Sequence, residues 1–441
     1  MKYFSMHPRQ ILDSRGNPTI EIDLIDNNKG GALVGRGAAP SGASTGSNEA
    51  VERRDKNRDN YMGKGVSECL ETVRDLSLKM KLTPLKVCDL IGCDRYLIET
   101  DGTQLKKRLG GNVTTAVSFL IAESGSGILG IPLYKHLGNV YGYYNNNTTK
   151  KWRMPIPMVN ILNGGKHAGG KLKIQEFMIM PSEKVVGESF SRSVEYVFRV
   201  YHNLKSILCE KYGPGATNLG DEGGFAPSCI DTPDEALTLI ESAVHKSGLI
   251  VGKDIFLALD CAASEFYDTE SGTGGYYAVE TDREPLTSKE LIEYYSQLIE
   301  KHPALISIED PFDEHDYSSW IEFTRKFKHR LMVVGDDLFT TNPETIRTGI
   351  VDGGSSNEMW ANALLLKVNQ IGTITEAVRG AEIMQSHNLD VIVSHRSGET
   401  NNSLISDLAV GINAKYIKLG APARGERVAK YNRLIQIEET I

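Results

Sequence analysis

No apolar run in the 441-residue chain approaches the ~18 residues of a membrane-crossing helix. The opening MKYFSMHPRQ lacks the apolar stretch of a secretion signal. Basic residues are not in excess: 49 Lys and Arg stand against 57 Asp and Glu, a net charge of −8. Chains that bind nucleic-acid phosphates or anionic lipid usually carry a basic surplus. The six cysteines form no Cys-x-x-Cys pair, and Cys88 and Cys93 have no histidine nearby, which argues against zinc. No unit of fixed length repeats, so solenoids and propellers are excluded. What is present is 40% hydrophobic and 24% charged residues, enough apolar material for a large core. These features lead us to expect a soluble, reduced, cytoplasmic globular protein that neither binds nucleic acid nor inserts in a membrane.

Two regions differ in pattern. Ile20, Ile22 and Leu24 alternate with Glu21 and Asp23, the period of a half-buried strand, and the turn Asp26–Gly31 leads to a second apolar run at Ala32–Val34. Helices are expected between about Asn48 and Leu137. The polar, turn-rich stretch Gly138–Lys151 is taken as the boundary between an N-terminal α+β domain, 1–150, and a C-terminal domain, 151–441. In the second domain six short apolar runs each deliver a polar residue at the C-terminal end: Asp260, Glu309, Asp336, Lys367, the group Ser394-His395-Arg396-Ser397, and Lys418. Thr232/Glu235, Thr287/Glu290 and Thr373/Glu376 are helix-start signals between them. Most intervals suit β/α units of about 30 residues, and in a β/α barrel the active site forms where the strands end. An open doubly wound sheet has similar spacing, but no Gly-rich phosphate loop follows the first of these strands.

The strand-end residues suggest chemistry. Asp260, Glu309 and Asp336 on one rim would repel without a cation, and an oxygen-only set suits Mg²⁺ before Zn²⁺. Lys367 is either a snorkelling cation or a functional amine whose pKa falls near a dication. His395-Arg396-Ser397 combines donors suited to phosphate, and Lys418 offers a fixed charge for a carboxylate. Pro40–Gly46 and Asn163–Gly170 read as ordinary loops or as lids. Glu176 follows the second, and the turn Gly220–Gly224 holds two acids, Asp221 and Glu222; a carboxyl held there is a general acid if a neighbouring carboxylate raises its pKa.

Asp13–Thr19, Pro40–Gly46, Asn163–Gly170, Gln175–Met178, Gly220–Gly224, Ser307–Phe312, Leu364–Gly372, Ser394–Thr400 and Gly420–Arg424, in this order, resemble the motifs of the enolase family nearly end to end. The resemblance implies an N-terminal capping domain on a β/α barrel and a homodimer that dehydrates 2-phosphoglycerate to phosphoenolpyruvate with two Mg²⁺ per site. It also implies Lys367 as the base and Glu222, supported by Glu176, as the acid. Asp260, Glu309 and Asp336 would hold the first ion and Ser41 would help hold the second. His167, Glu176, Ser394, His395, Arg396, Ser397 and Lys418 would bind or orient substrate. The phosphate tripeptide, the lids and Glu222 separate the chain from racemases and acid-sugar dehydratases of the same superfamily. Departures are few: Asp352–Asn357 reads as an insertion away from the chemistry, Gly110–Asn112 and Ser124–Gly130 as stretches that loosen a helix. Gln436 stands where the family commonly has an Arg that pairs with the partner subunit.

Overall fold

The fold is seen in a computed structural model that describes residues 1–43, 46–145, 151–165, 168–268, 275–351 and 358–441. The expected insertion Asp352–Asn357 lies outside the described residues. At the N-terminus β1 (Phe4–Leu12), β2 (Pro18–Asp26) and β3 (Ala32–Ala38) form an antiparallel sheet in that order. Ile20, Ile22 and Leu24 are fully buried, as their alternation requires. On the other face Glu21 and Asp23 pair with Arg9 and Arg36, with Arg36 Nε 2.6 Å from Asp23 Oδ1. The strand β1 escapes a periodicity search because its half-exposed edge carries Ser, His, Pro and Arg; an edge strand tolerates Pro8.

Four helices follow, Ser67–Lys81, Leu90–Asp101, Gly111–Leu129 and Leu133–Asn145; the first and third pack on this sheet, and the second and fourth join them to helices of the second half of the chain. Two expectations are corrected here. Gly138 and Gly142 lie inside the last of these helices, so the turn-rich composition does not break it. The glycines of Gly111–Leu129 do not loosen that helix, which runs unbroken for 19 residues. Close packing is the reason. A Cβ on Gly37 of β3 would sit 2.2 Å from Ala116 O, so the sheet backbone rests directly on the helix. Gly35 and Gly37 serve this approach rather than a phosphate. Among the described residues no single helix is long and apolar enough to cross a membrane.

The rest of the chain is a closed eight-stranded barrel built from β4 (Ile156–Asn163), β5 (Glu176–Pro181), β6 (Ile255–Asp260), β9 (Leu305–Glu309), β10 (Met332–Gly335), β11 (Ala363–Leu366), β12 (Asp390–Ser394) and β13 (Tyr416–Lys418). A short pair, β7 (Tyr267–Asp268) and β8 (Tyr276–Tyr277), lies between β6 and β9. Around the barrel the order is β10-β11-β12-β13-β4-β5-β6-β9. Only β5 runs against its neighbours; the other contacts are parallel. All six strands expected from the sequence are present. Their helices start as read: Thr232, Thr287 and Thr373 each accept a hydrogen bond from the backbone N–H three residues on, and Thr287 with Glu290 completes a capping box. The fold is thus a small α+β domain followed by a β/α barrel, and every parallel strand directs its C-terminal end to one mouth.

Candidate active site

Because β5 is antiparallel, its first residue lies at the same mouth where the other strands end. Glu176 is in register with Asp260, and Asp260 with Glu309. Ser394 is in register with Lys418. Ten of the thirteen residues singled out from the sequence line one cavity there: Glu176, Glu222, Asp260, Asp336, Lys367, Ser394, His395, Arg396, Ser397 and Lys418. Glu309 joins them through Lys418. Ser41 sits apart, and His167 lies outside the described residues.

Two ion-paired clusters organise the mouth. Lys418 is buried, with Nζ 2.9 Å from Asp260 Oδ2, 3.0 Å from Glu309 Oε2 and 3.1 Å from Glu176 Oε2. Lys367 Nζ forms a short contact with Asp336 Oδ2, and Gln370 Nε2 donates to Asp336 Oδ1 at 2.8 Å. The strands β11 and β5 stand four apart in a ring of eight, so Lys367 and Glu176 face each other across the barrel. Glu222 lies on the side of Glu176, where Asn160 Nδ2 donates to Oε2 (3.3 Å), Ser397 Oγ donates to Oε1 (3.1 Å), and His395 Nε2 is 3.4 Å from Oε2.

Several contributors were not recognised in the sequence. Asp310, in a left-handed conformation (φ 41°), accepts hydrogen bonds from the backbone N–H groups of both Asp336 and Asp337 at 2.9 Å and so orients the loop after β10. One carboxylate oxygen from each of Asp310, Asp336 and Asp337 lies within 4.8 Å of the others. Only Asp336 belongs to the triad expected to bind a metal; in this arrangement Asp260 and Glu309 hold Lys418 instead. The doubled acids Glu309-Asp310 and Asp336-Asp337 were the signal that was available in the sequence. Glu49, from the N-terminal domain, pairs with Arg396 at 2.9 Å. Ser41 Oγ donates to Asp13 Oδ2 at 2.5 Å, and its backbone exchanges hydrogen bonds with Gly398 at 2.7 and 2.9 Å, which seats the first Gly-rich loop on the segment after β12.

The profile "Enolase, N-terminal domain" matches residues 4–137, and "Enolase, C-terminal TIM barrel domain" matches 151–441. The chain belongs to the enolase family. The enolase of Thermococcus gammatolerans is 45% identical over 433 residues, 98% of this chain and 94% of that protein. Those of Methanopyrus kandleri and Methanocaldococcus jannaschii are 45% and 46% identical over 437 and 434 residues; the alignments cover 99% and 98% of this chain and 95% and 94% of theirs. Family membership makes the chain a lyase of the phosphopyruvate hydratase type.

In an enolase-type site the protonation states matter. Burial, with the charge of Glu222, pushes the Glu176 carboxyl well above the usual carboxylate range. Burial pushes Glu222 the same way, but the neighbouring His395 and the positive charges of Arg427 and Lys418 outweigh it and hold Glu222 well below. The pair is thus pushed in opposite directions, Glu176 toward its protonated form and Glu222 toward its ionised form. For Lys367 burial favours loss of the proton, yet the Asp336 carboxylate prevails and holds the amine up at about 12. His395 is driven down to about 4, by burial first and then by Arg427, so its ring is neutral at physiological pH. Burial and the charge of Asp260 push Glu309 well above its ordinary value. Buried carboxyls with only oxygen donors, and no thiol or imidazole among them, fit a hard divalent cation.

Proposed function

We propose that this chain interconverts 2-phosphoglycerate and phosphoenolpyruvate, with Lys367 taking the C2 proton and the Glu222–Glu176 pair delivering a proton to the departing C3 hydroxyl. The observation that carries this reading is the opposition of one lysine and two glutamates across a single buried, acid-lined barrel mouth. A C–H next to a carboxylate is weakly acidic because its loss adds a second negative charge to that group. The amine that accepts the proton and the acid that protonates hydroxide, a poor leaving group, must therefore stand on opposite sides of the substrate. Lys418, held by three carboxylates, keeps a fixed positive charge for the substrate carboxylate. His395, Arg396, Ser397 and Ser394 offer donors to the phosphate, and His167 would orient substrate from the second Gly-rich loop.

Asp260, Glu309 and Asp336 would hold one Mg²⁺, and Ser41 would help hold a second. When bound, these ions supply positive charge against the developing dianionic carboxylate, a role worth several kcal/mol. Lys367 acts as a base once the Asp336 carboxylate that now keeps it protonated is engaged elsewhere. We assign residues 1–150 to the capping domain and 151–441 to the barrel, and expect a cytoplasmic homodimer that lacks an Arg contact at Gln436.

The test follows the ultraviolet absorbance of the enol phosphate formed from 2-phosphoglycerate with Mg²⁺, then with excess chelator. Turnover that the chelator stops is expected; none in folded, Mg²⁺-saturated protein refutes the reading. Lys367→Ala should lose exchange of the C2 hydrogen with solvent, whereas Glu222→Gln should keep exchange and lose turnover. Rapid exchange in the Lys367 variant would remove Lys367 as the base.

A further inference from the structure

Arg427 lies in the helix Gly425–Glu438, outside the lining of the cavity, and is completely buried. Its guanidinium joins two separate segments. Nη1 donates to Arg396 O (2.6 Å) and contacts His395 Nδ1; Nη2 donates to Ser397 O (2.7 Å) and Asp221 O (3.2 Å). Asp221 precedes Glu222 on the turn that carries the acid, and His395–Ser397 is the segment after β12. One side chain therefore ties the turn that presents Glu222 to the segment facing it. The fit leaves little slack: a Cβ on Gly420 would lie 2.6 Å from Glu222 O, 3.1 Å from His395 Cε1 and 3.3 Å from Arg427 Cδ.

A guanidinium has no lone pair to offer and can only donate. The nitrogen it meets on His395, Nδ1, must then be the acceptor, so the neutral ring carries its hydrogen on Nε2. That nitrogen lies 3.4 Å from Glu222 Oε2. We propose that Arg427 is a positioning residue: it fixes the Nε2–H tautomer of His395 and holds the Glu222 turn against the His395–Ser397 segment. This rests on the role given to Glu222 above. The second partner of an imidazole sets which nitrogen donates, and misplacing a catalytic group by about 1 Å costs on the order of 100-fold in rate.

The experiment uses the full chain with nitrogen-15-labelled histidine. Long-range proton–nitrogen spectra, assigned through His395→Gln, report the tautomer, and steady-state kinetics with Mg²⁺ report kcat and KM separately. Wild-type His395 should show the Nε2–H form. Arg427→Met should populate the Nδ1–H form and lower kcat about 100-fold while KM changes less than about threefold. Arg427→Lys keeps the charge but offers a point donor that cannot serve all four acceptors, so it should recover part of kcat. A folded Arg427→Met that keeps the wild-type tautomer and a kcat within about threefold overturns the proposal. If Arg427→Met does not fold, the same two readouts on Arg427→Lys decide, with a loss of at least about tenfold expected and wild-type values refuting. Absence of turnover in the wild type would refute the parent reading instead, while the tautomer measurement would still decide whether Arg427 sets the ring.

Discussion

Replacing Asp94 with asparagine should raise stability at pH 8 but not at pH 5. Asp94, on the helix Leu90–Asp101, is completely buried where the N-terminal domain meets the helix Ile374–Ser386 of the barrel. Its Oδ2 accepts hydrogen bonds from Ser118 Oγ (3.0 Å) and Thr375 N (3.1 Å), while Oδ1 has no hydrogen-bond partner. Burial drives its pKa from 3.8 to about 7, against those two hydrogen bonds. The folded chain then holds a proton that the unfolded chain has released. The stability from that proton is complete below the unfolded value of 3.8 and is lost as pH rises through about 7. Between pH 5 and 7 the loss runs at ~1.4 kcal/mol per pH unit, or ~3 kcal/mol in all. The N-terminus of Ile374–Ser386 favours the charged form and offsets up to ~2 kcal/mol of this. Asp94→Asn keeps the acceptor and the shape without the titration, so its advantage over wild type should grow by ~1–3 kcal/mol between pH 5 and 8. Urea unfolding of both proteins across that range measures it. Parallel stability curves for the two proteins would refute the reasoning.

His302, buried between Glu241 Oε1 (3.0 Å) and Asp234 Oδ1 (3.1 Å), has its pKa raised by those carboxylates against the effect of burial. Its contribution is present below the unfolded value of 6.5 and is lost as pH rises through the folded value. His302→Gln should therefore cost roughly 1–2 kcal/mol at pH 5.5 and distinctly less at pH 9, read by thermal unfolding. Gly37→Ala would press a methyl group onto Ala116 O and should cost at least ~1–3 kcal/mol in the same assay, whereas wild-type stability would disprove the close approach. Binding of Mg²⁺ should release protons and tighten with pH between 6 and 8, seen by calorimetry in buffers of different ionisation enthalpy; pH-independent binding without release would count against the assigned ligands.

What was legible in the sequence depended on direction. Strands that end in a polar residue at a parallel barrel mouth stand out, because an apolar run stops at a charge, and Asp260, Glu309, Lys367 and Lys418 were found that way. The strand β5 runs oppositely and begins with its charge, so Glu176 looked like a loop acid although it shares the mouth. The strand β4 is buried at every position and carries no alternation. Composition misled where glycines pack: Gly111–Leu129 is helical because its small residues admit β3, a tertiary fact that local propensity does not contain. Positioning residues such as Asp310 and Arg427 act through backbone groups of distant segments and have no local signature.

The charges at the mouth can be set against one another. Seven carboxyls, Glu176, Glu222, Asp260, Glu309, Asp310, Asp336 and Asp337, gather about three cations, Lys367, Arg396 and Lys418. Four of the seven, Glu176, Glu309, Asp310 and Asp337, are pushed well above the ordinary carboxylate range, in each case by burial first and neighbouring carboxylates second. Protons held by such acids lower the uncompensated negative charge of a space where that charge is costly. The two Mg²⁺ proposed above would lower it in another way. The acids of the mouth thus have two ways of reaching neutrality, by protons or by ions, and an ion that binds carboxylate oxygen displaces the proton there. A substrate with a phosphate and a carboxylate adds negative charge and shifts the balance toward the ions. On this reasoning metal affinity should rise when substrate is present, by the same factor as the metals raise affinity for substrate, because coupling between two ligands is reciprocal.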